Sequence, residues 1–130
     1  MGAINQFILM ETPVLKVIDI SDKTAEINEL YKNLPLTFIN DHVIRVSVMT
    51  QPFYWHLHPN SDESFLVIEG SLLIDLENTT IELLPGQLFT IPKNTSHRTR
   101  PGGSKSVNLT FELKDIETIK TGNQEDITGS

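Results

Sequence analysis

The chain has 130 residues, of which 38% are hydrophobic and 21% charged, with no cysteine and a formal net charge of -7 at pH 7. This length fits one domain with one buried core, and the composition is ordinary for a soluble globular protein. The negative charge argues against a nucleic-acid-binding protein, because phosphate binding needs a basic surface. The absence of cysteine excludes disulfides, a thiol nucleophile and thiolate metal ligands.

The first residues of the chain carry no recognisable targeting signal. Residues 1–6 have no basic side chain, and the apolar run at residues 7–10 is too short for a signal peptide or a membrane span. We therefore expect a cytoplasmic protein that does not interact with a membrane.

The first predicted element is a short helix in an N-terminal extension, residues 1–35, which belongs to the same domain. Ser21 is a suitable N-cap, and Pro35 ends the helix because the residue before a proline avoids helical geometry. The apolar residues between them have helical spacing; they are Ile27, Leu30, Tyr31 and Leu34. We expect this stripe to pack against the domain rather than to bind a ligand.

From Leu36 onward the pattern changes to short β-strands separated by turn residues. The predicted strands are residues 43–50, 53–58, 64–68, 72–76, 80–84, 88–91, 96–100 and 106–113. Glu69-Gly70 is predicted to form a two-residue hairpin turn, and Pro101-Gly102-Gly103 a second turn. Many short strands at this spacing are typical of an antiparallel sandwich or barrel. We predict an all-β domain with a barrel over residues 36–114 and a polar tail, residues 115–130, with a loose end.

Three histidines and one glutamate have the spacing of metal ligands: His56, His58, Glu63 and His97. On an extended strand His56 and His58 point to the same side, because side chains alternate with a period of two. Imidazole and carboxylate groups suit a first-row divalent metal and leave coordination positions for water or substrate. A domain that keeps these groups without a metal, as buried and hydrogen-bonded side chains, is the alternative.

Strand alternation also assigns the neighbours of these residues. Asp62 should face away from Glu63, whereas Phe65 and Val67 share its side and should pack in the core. Thr99 shares the side of His97 and is either near the ligands or structural. Arg98 and Arg100 should face away, with surface or interface roles, and we expect His42 to be a solvated turn residue.

The sequence does not decide the role of several other residues. Arg45 would face a binding pocket if the polar side of its strand points inward, and there it could hold an anionic substrate. It would lie on the surface if the apolar side, with Ile44 and Val46, points inward. Tyr54 and Trp55 are either pocket wall or core. No catalytic acid or base can be named from the sequence.

The combined spacing resembles that of the cupin superfamily, in its small single-domain form. His56-x-His58, four residues, Glu63, six residues and Gly70 are similar to the first cupin motif. Gly86, five residues, Pro92 and His97 five positions on are similar to the second. Three positions depart from the family pattern: Thr50 and Asn94 replace glycine, and Pro101 replaces asparagine. Asn94 can keep the turn, because asparagine tolerates the left-handed conformation.

The resemblance implies a double-stranded β-helix, or jelly-roll barrel, with the four ligands pointing inward and one divalent transition metal bound. The metal is open among iron, manganese, nickel, zinc, cobalt and copper. The resemblance implies an enzyme acting on a small polar substrate, of the dioxygenase, isomerase or epimerase, or decarboxylase type. A non-catalytic module that binds or senses a sugar or carboxylate is the first alternative, and a structural barrel with an incidental metal is the second. Homodimers are common in the family, so we expect a homodimer.

Overall fold

The computed structural model describes residues 14–122, so the apolar run at residues 7–10 and the end of the predicted tail lie outside the described residues. The described range contains one helix, α1 (Ile20–Thr24), and eight strands. The strands are β1 (Tyr31–Ile39), β2 (His42–Met49), β3 (His56–Leu57), β4 (Glu63–Asp75), β5 (Thr80–Leu83), β6 (Leu88–Ile91), β7 (Arg98–Leu113) and β8 (Ile119–Lys120). The predicted β architecture with one short helix is confirmed.

Six of the strands form one antiparallel sheet. Its order is β1-β2-β7-β4-β5, and β6 pairs with the beginning of β4. The long strands β4 and β7 pair along most of their length and form the centre of the sheet. A second, two-stranded sheet joins β3 to β8, so the predicted tail contributes a strand beside the histidine pair.

The helix is shorter than predicted and has a different N-cap. Asp19, rather than Ser21, caps it, because its Oδ1 accepts a hydrogen bond of 3.0 Å from the backbone N–H of Asp22. Thr24 closes the last turn by donating its hydroxyl to the carbonyl of Ile20 at 3.0 Å. Between residues 14 and 122 we find no helix with the length and apolar character needed to cross a bilayer.

The second half of the predicted helix is strand β1. The prediction that Tyr31 and Leu34 lie on a helix was wrong, because both residues pair with β2, opposite Met49 and Val46. Pro35 does not end a helix; it lies within β1, at an irregularity of the ladder. A proline is tolerated there because β1 is at the edge of the sheet, where a strand can lack an N–H donor.

The predicted hairpin turn at Glu69-Gly70 was also wrong, because β4 continues through these residues. The register against β7 shifts on both sides of Gly70, so the chain bulges locally and does not reverse. Gly70 has a φ of +73°, and a Cβ there would lie 2.1 Å from the carbonyl oxygen of Lys105. Only glycine fits this close approach of the two strands.

The predicted turn at Pro101-Gly102-Gly103 is likewise inside a strand, β7. Pro101 pairs opposite Leu72, and a Cβ at Gly102 would lie 2.0 Å from the Oγ of Ser71. A side chain here would force the Ser71 hydroxyl to move, so the close approach of β4 and β7, rather than a turn, favours glycine at this position.

The central strands are buried on both faces, and the two faces differ in chemistry. One face carries an apolar cluster, in which Val46, Val48, Val107 and Leu109 pack with Leu36. Side chains of the N-terminal segment cover this cluster; they are Ile18, Ile20 and Ile27. The other face encloses a second apolar cluster, made of Met49, Phe65, Val67, Leu72, Ile74, Leu83 and Ile91. It also encloses a cavity beside that cluster.

Candidate metal centre

The four predicted ligand residues meet inside the domain. His56, His58, Glu63 and His97 are 4%, 7%, 8% and 0% exposed, although three are histidines and one is an acid. Their candidate ligand atoms all lie within 4.8 Å of one another. The prediction that these residues form one cluster agrees with this geometry.

Short segments bring the ligands together. His56 and His97 face each other in an isolated antiparallel bridge, with backbone hydrogen bonds of 3.0 and 2.9 Å. The carbonyl of His58 accepts a hydrogen bond of 2.8 Å from the N–H of Asn94. Asn94 has a φ of +66°, so asparagine does adopt the left-handed conformation expected at this turn. Glu63 is the first residue of β4.

Backbone carbonyls fix the tautomer of all three imidazoles. The Nδ1 atoms of His56, His58 and His97 lie 2.7, 2.9 and 2.9 Å from the carbonyls of Tyr54, Glu117 and Thr95. A carbonyl can only accept, so each Nδ1 carries the proton and each neutral ring presents the lone pair of Nε2. This is the form in which an imidazole binds a metal.

The inner atoms of the cluster lack hydrogen-bond partners. Glu63 Oε1 lies 3.2 Å from His58 Nε2 and 3.3 Å from His97 Nε2, yet none of these three buried atoms has a hydrogen-bond partner. Unpartnered buried polar atoms are costly, and a cation between them would remove that cost. Nitrogen and oxygen ligands bind first-row metals at about 2.0–2.2 Å, which suits the spacing of these atoms. The residues therefore fit one metal ion.

The electrostatics of the cluster favour the ligating forms of His56 and Glu63, whereas the Glu63 carboxylate favours the protonated form of His58 until a cation takes the place of that proton. Burial, together with nearby His97, lowers the pKa of His56 to about 4, so this ring is neutral at pH 7. Burial alone would raise the pKa of Glu63, but contacts with His58 and His97 outweigh it and hold that pKa below its usual range. Burial would also lower the pKa of His58, and the Glu63 carboxylate raises it instead.

The cluster opens into a cavity of about 310 Å³. Apolar and aromatic residues line part of it: Tyr31, Met49, Phe53, Phe65 and Ile116. Another part, which we call the polar wall, consists of Arg45 and Ser47 from β2 and Asn108, Thr110 and Glu112 from β7. The sequence did not decide which side of β2 points inward. In the structure the side with Arg45 faces the cavity, and the apolar side packs under the N-terminal segment.

Arg45 is held in place by two neighbours. Its Nε lies 3.2 Å from Glu112 Oε2, and its Nη1 donates to Asn33 Oδ1 at 3.2 Å. Asn33 in turn donates its amide to the Oγ of Ser47 at 2.7 Å. Burial and the charge of Glu63 raise the pKa of Glu112 to about 8, although Arg45 opposes this shift. Glu112 therefore interacts both with Arg45 and with Glu63 of the ligand cluster.

Three residues that line the cavity were not predicted from the sequence: Glu112, Asn33 and Tyr31. Tyr31 and Asn33 belong to the strand that was predicted as helix. Glu112 had a usable signal, since polar residues alternate with apolar ones along the predicted strand 106–113. Three of the four polar members of that alternation line the cavity: Asn108, Thr110 and Glu112.

The C-terminal segment was also missed, and it braces the centre. Its Glu117 carbonyl accepts from His58 Nδ1, and Thr118 and Ile116 line the cavity. Asn60 holds this segment twice: its Nδ2 donates to the Asp115 carbonyl at 3.1 Å, and its Oδ1 accepts from the Glu117 N–H at 2.9 Å. Strand β8 then pairs with β3, which carries His56.

The neighbours assigned by alternation lie where they were expected. Asp62 is exposed and accepts a hydrogen bond of 2.9 Å from the N–H of Lys93. Phe65 and Val67 are 4% and 0% exposed core residues. Thr99 is buried and lines the cavity. His42 is exposed beside Asp41, but it begins strand β2 and does not lie in a turn.

Arg98 and Arg100 point away from the cluster and bind the buried carboxylate of Asp75. Arg98 Nε and Arg100 Nε donate to Asp75 Oδ2 at 3.0 and 2.8 Å, and Arg100 Nη2 donates to Oδ1 at 3.0 Å. Arg98 also lies 5.5 Å above the ring of Trp55. Tyr54 stacks on Phe53 with ring centroids 4.2 Å apart, and the Nζ of Lys120 lies over the Tyr54 ring, 4.7 Å from its centroid.

Known proteins of the same kind extend these observations. The profile of the Cupin domain family (Cupin_2) matches residues 44–111, more than half of the chain. The uncharacterized protein YdbB of Bacillus subtilis (strain 168) is 43% identical over 95 residues, which are 72% of this chain and 83% of that protein. The polyketide synthase CurC of Streptomyces cyaneus is 36% identical over 61 residues, 47% of this chain and 40% of that protein.

A solved structure of a cupin-2 domain protein agrees with the family match. The crystal structure of a cupin-2 domain containing protein from Shewanella frigidimarina NCIMB 400 superposes with a TM-score of 0.71 at 28% identity, covering 75% of this chain and 95% of that one. The predicted double-stranded β-helix is thereby confirmed, and the chain belongs to the cupin family.

Proposed function

We propose that this cupin binds one divalent transition metal through His56, His58, Glu63 and His97, and that it is a metal-dependent enzyme acting on a small polar substrate. The observation that carries the proposal is the preset ligating state of the cluster. Three backbone carbonyls turn the lone pairs of the three rings inward, where they meet an ionised carboxylate. A purely structural cluster would pair these inner atoms with donors, and none of the atoms named above is so paired.

A divalent ion held by four protein ligands has free positions for a substrate, and it would supply Lewis acidity or oxygen activation. The chain's own residues would do the rest. Thr110 and Ser47 would offer hydroxyl groups to the substrate, and Phe53 and Phe65 contribute apolar surface to the cavity. The reaction class stays open among dioxygenase, isomerase or epimerase, and decarboxylase.

The cavity supports an enzyme somewhat better than a binding module. Glu112 and Tyr31 line it, and their carboxyl and phenol groups can exchange protons with a bound molecule. A barrel that only senses or carries a ligand would need complementary contacts but no such groups beside the metal. The non-catalytic module remains the alternative that the substrate experiment addresses.

Elemental analysis of protein purified without a chelating resin tests the metal. We expect about one equivalent of iron, manganese, nickel, zinc, cobalt or copper per chain in the wild type. His58→Ala should lose it, and His42→Ala is the matched control because His42 is exposed and outside the cluster. A metal-free wild type whose stability is unchanged by His58→Ala would refute the site.

Substrate screening tests turnover. The panel should contain diketones, catechols and sugar acids, with oxygen consumption and product analysis as separate readouts. The match to CurC, which is named a polyketide synthase, is a reason to include diketones typical of polyketides. Tight binding without any product from the metal-loaded protein would favour the binding module.

We also propose that the protein forms a homodimer. The outer edge of β1 pairs with no strand in the described part of the chain, and Leu15 and Val17, which precede helix α1, are fully exposed apolar residues. A second copy of the chain could cover both features. Sedimentation equilibrium at micromolar concentration should give twice the mass of 14.7 kDa, and a monomer would refute this proposal.

A further inference from the structure

The polar wall is unusual for the inside of a small β domain. On β2, Val46 and Val48 pack in the apolar cluster, whereas Arg45 and Ser47 face the cavity. A buried ion pair such as Arg45–Glu112 adds little to stability, because desolvation offsets most of the attraction, and apolar residues of equal volume would serve as well. The wall is therefore better explained by a ligand than by packing.

Arg45 is arranged to leave donors for such a ligand. Asn33 takes one N–H of the guanidinium, which has five, and Glu112 Oε2 lies 3.2 Å from its Nε. The Arg45 side chain is 30% exposed, whereas that of Glu112 is 6% exposed, so the arginine is the accessible member of the pair. Asn33, itself held by Ser47, fixes the plane of the guanidinium.

The charges of the loaded cavity favour an anion. Among the residues of the range 14–122 that line it, Arg45 is the lone lysine or arginine, and Glu63 and Glu112 are the two acids. A divalent metal and Arg45 together outweigh the two carboxyl groups by at least one positive charge, whichever protonation state Glu112 takes. A cavity of about 310 Å³ holds roughly ten water molecules, which limits the ligand to a small molecule.

We propose that Arg45 binds the carboxylate of the substrate, so that the site takes small monoanionic molecules that reach the metal with one end and Arg45 with the other. This inference rests on the proposed function, because it assigns the substrate class of the same site. Arg45 would be the specificity-determining residue, and Glu112 and Asn33 would position it. The fork of a guanidinium matches the two oxygens of a carboxylate, which a lysine cannot do.

A matched pair of probes tests the proposal by isothermal titration calorimetry at fixed ionic strength. Succinylacetone carries a diketone at one end and a carboxylate at the other, and its methyl ester is neutral with the same diketone. We expect the metal-loaded wild type to prefer the acid by about tenfold in Kd, the strength of one charge-assisted contact. Arg45→Met should abolish this preference and leave ester binding unchanged, and Arg45→Lys should keep only part of it.

Lys105→Met is the control for net charge, because Lys105 is an exposed residue that does not line the cavity. It should keep the full preference for the acid. Should Arg45→Met fail to fold because it leaves Glu112 unpaired, the double variant Arg45→Met/Glu112→Met removes both members of the pair and serves in its place.

The possible outcomes separate this inference from the proposed function. Metal content is measured in every sample, so a protein without metal refutes the metal site whatever the probes do. In either metal state, a preference for the acid that disappears with Arg45 supports the inference. A preference for the acid that survives in Arg45→Met shows that the carboxylate binds elsewhere, and it overturns the inference. A wild type that binds the two probes equally, or binds neither, also overturns the inference.

Discussion

The ligand cluster and the polar wall share one cavity but are supported in different ways. The cluster comes from short segments: the two-residue strand β3, the first residue of β4 and an isolated bridge at His97. Arg45 and Glu112 instead stand on the long paired strands β2 and β7. Short segments need external braces to hold a ligand geometry, and here backbone carbonyls and the C-terminal segment provide them. Side chains on a paired sheet are fixed by the sheet itself.

Metal removal should have the largest effect, and it should act through the cluster alone. At a metal concentration of about 1,000 times Kd, binding adds about 4 kcal/mol to the free energy of unfolding. For a domain of this size that corresponds to a rise in Tm of roughly 10 °C. Calorimetry of wild type with a chelator and with added metal measures this difference.

His97→Ala should remove most of that metal-dependent rise, because His97 is fully buried at the centre of the cluster. Arg45→Met should retain it, since the polar contacts of Arg45 are with Glu112 and Asn33, which are not candidate ligands. Equal metal-dependent rises in wild type and His97→Ala would show that the ion binds elsewhere.

Loosening the C-terminal brace should weaken the cluster without changing a ligand. Asn60→Leu removes both hydrogen bonds that hold the segment carrying the Glu117 carbonyl, the partner of His58 Nδ1. Loss of such supporting contacts typically lowers metal affinity by about 10–100-fold. Metal titration with a competing chelator measures the change.

Asn78→Leu is the matched control, because Asn78 is an exposed residue between β4 and β5. It should bind metal as the wild type does. Unchanged affinity in Asn60→Leu would mean that the His58 ring is held by its strand alone and that the brace is unnecessary.

Removing volume from the apolar face of β2 should affect stability and leave both functional regions intact. Val46 is 0% exposed, and Val46→Ala should lower the free energy of unfolding by about 2 kcal/mol through lost burial and a small cavity. Urea unfolding of the metal-free protein measures it. The neighbour on the other face, Ser47→Ala, should cost about 1 kcal/mol or less, as one hydrogen bond to Asn33 is lost.

Val46 packs in the apolar cluster, whereas its neighbours Arg45 and Ser47 face the cavity, and this difference shows what the sequence could and could not predict. The cluster was predictable because its ligands have fixed spacing relative to Gly86, Pro92 and each other. The direction of Arg45 was not, because alternation shows that the two sides of β2 differ but not which side faces the cavity. The answer depends on the N-terminal segment, whose isoleucines cover the apolar side.

The wrong turn predictions have a similar cause. Gly70 and Gly102 resemble turn residues, and glycine serves equally for a turn and for close contact between strands. Only the pairing of β4 with β7 distinguishes the two uses. Tyr31 and Leu34 fit a helical stripe, but the pairing of β1 with β2 outweighs that local preference.

The smallest expected effect concerns Asp75, a carboxylate outside the cavity. Hydrogen bonds from Arg100, Thr80 and Arg98 outweigh burial and lower its pKa to about 2, from an ordinary value of 3.8. Ionised Asp75 therefore stabilises the fold above about pH 4, and this contribution is lost as the pH falls toward 2. Because both arginines remain partly exposed, we expect only about 1 kcal/mol at pH 7.

Asp75→Asn isolates this contribution, since an amide does not titrate in the same range. The wild type should be more stable than the variant at pH 7, and the difference in the free energy of unfolding should shrink between pH 4 and pH 2. Metal affinity and the preference for an acidic ligand should be the same in both proteins, because Asp75 lines no part of the cavity. A difference that persists to pH 2 would mean that Asp75 acts through packing rather than charge. A change in metal affinity would instead show that the contact between Arg98 and Asp75 helps to position His97, the residue next to Arg98, in the ligand cluster.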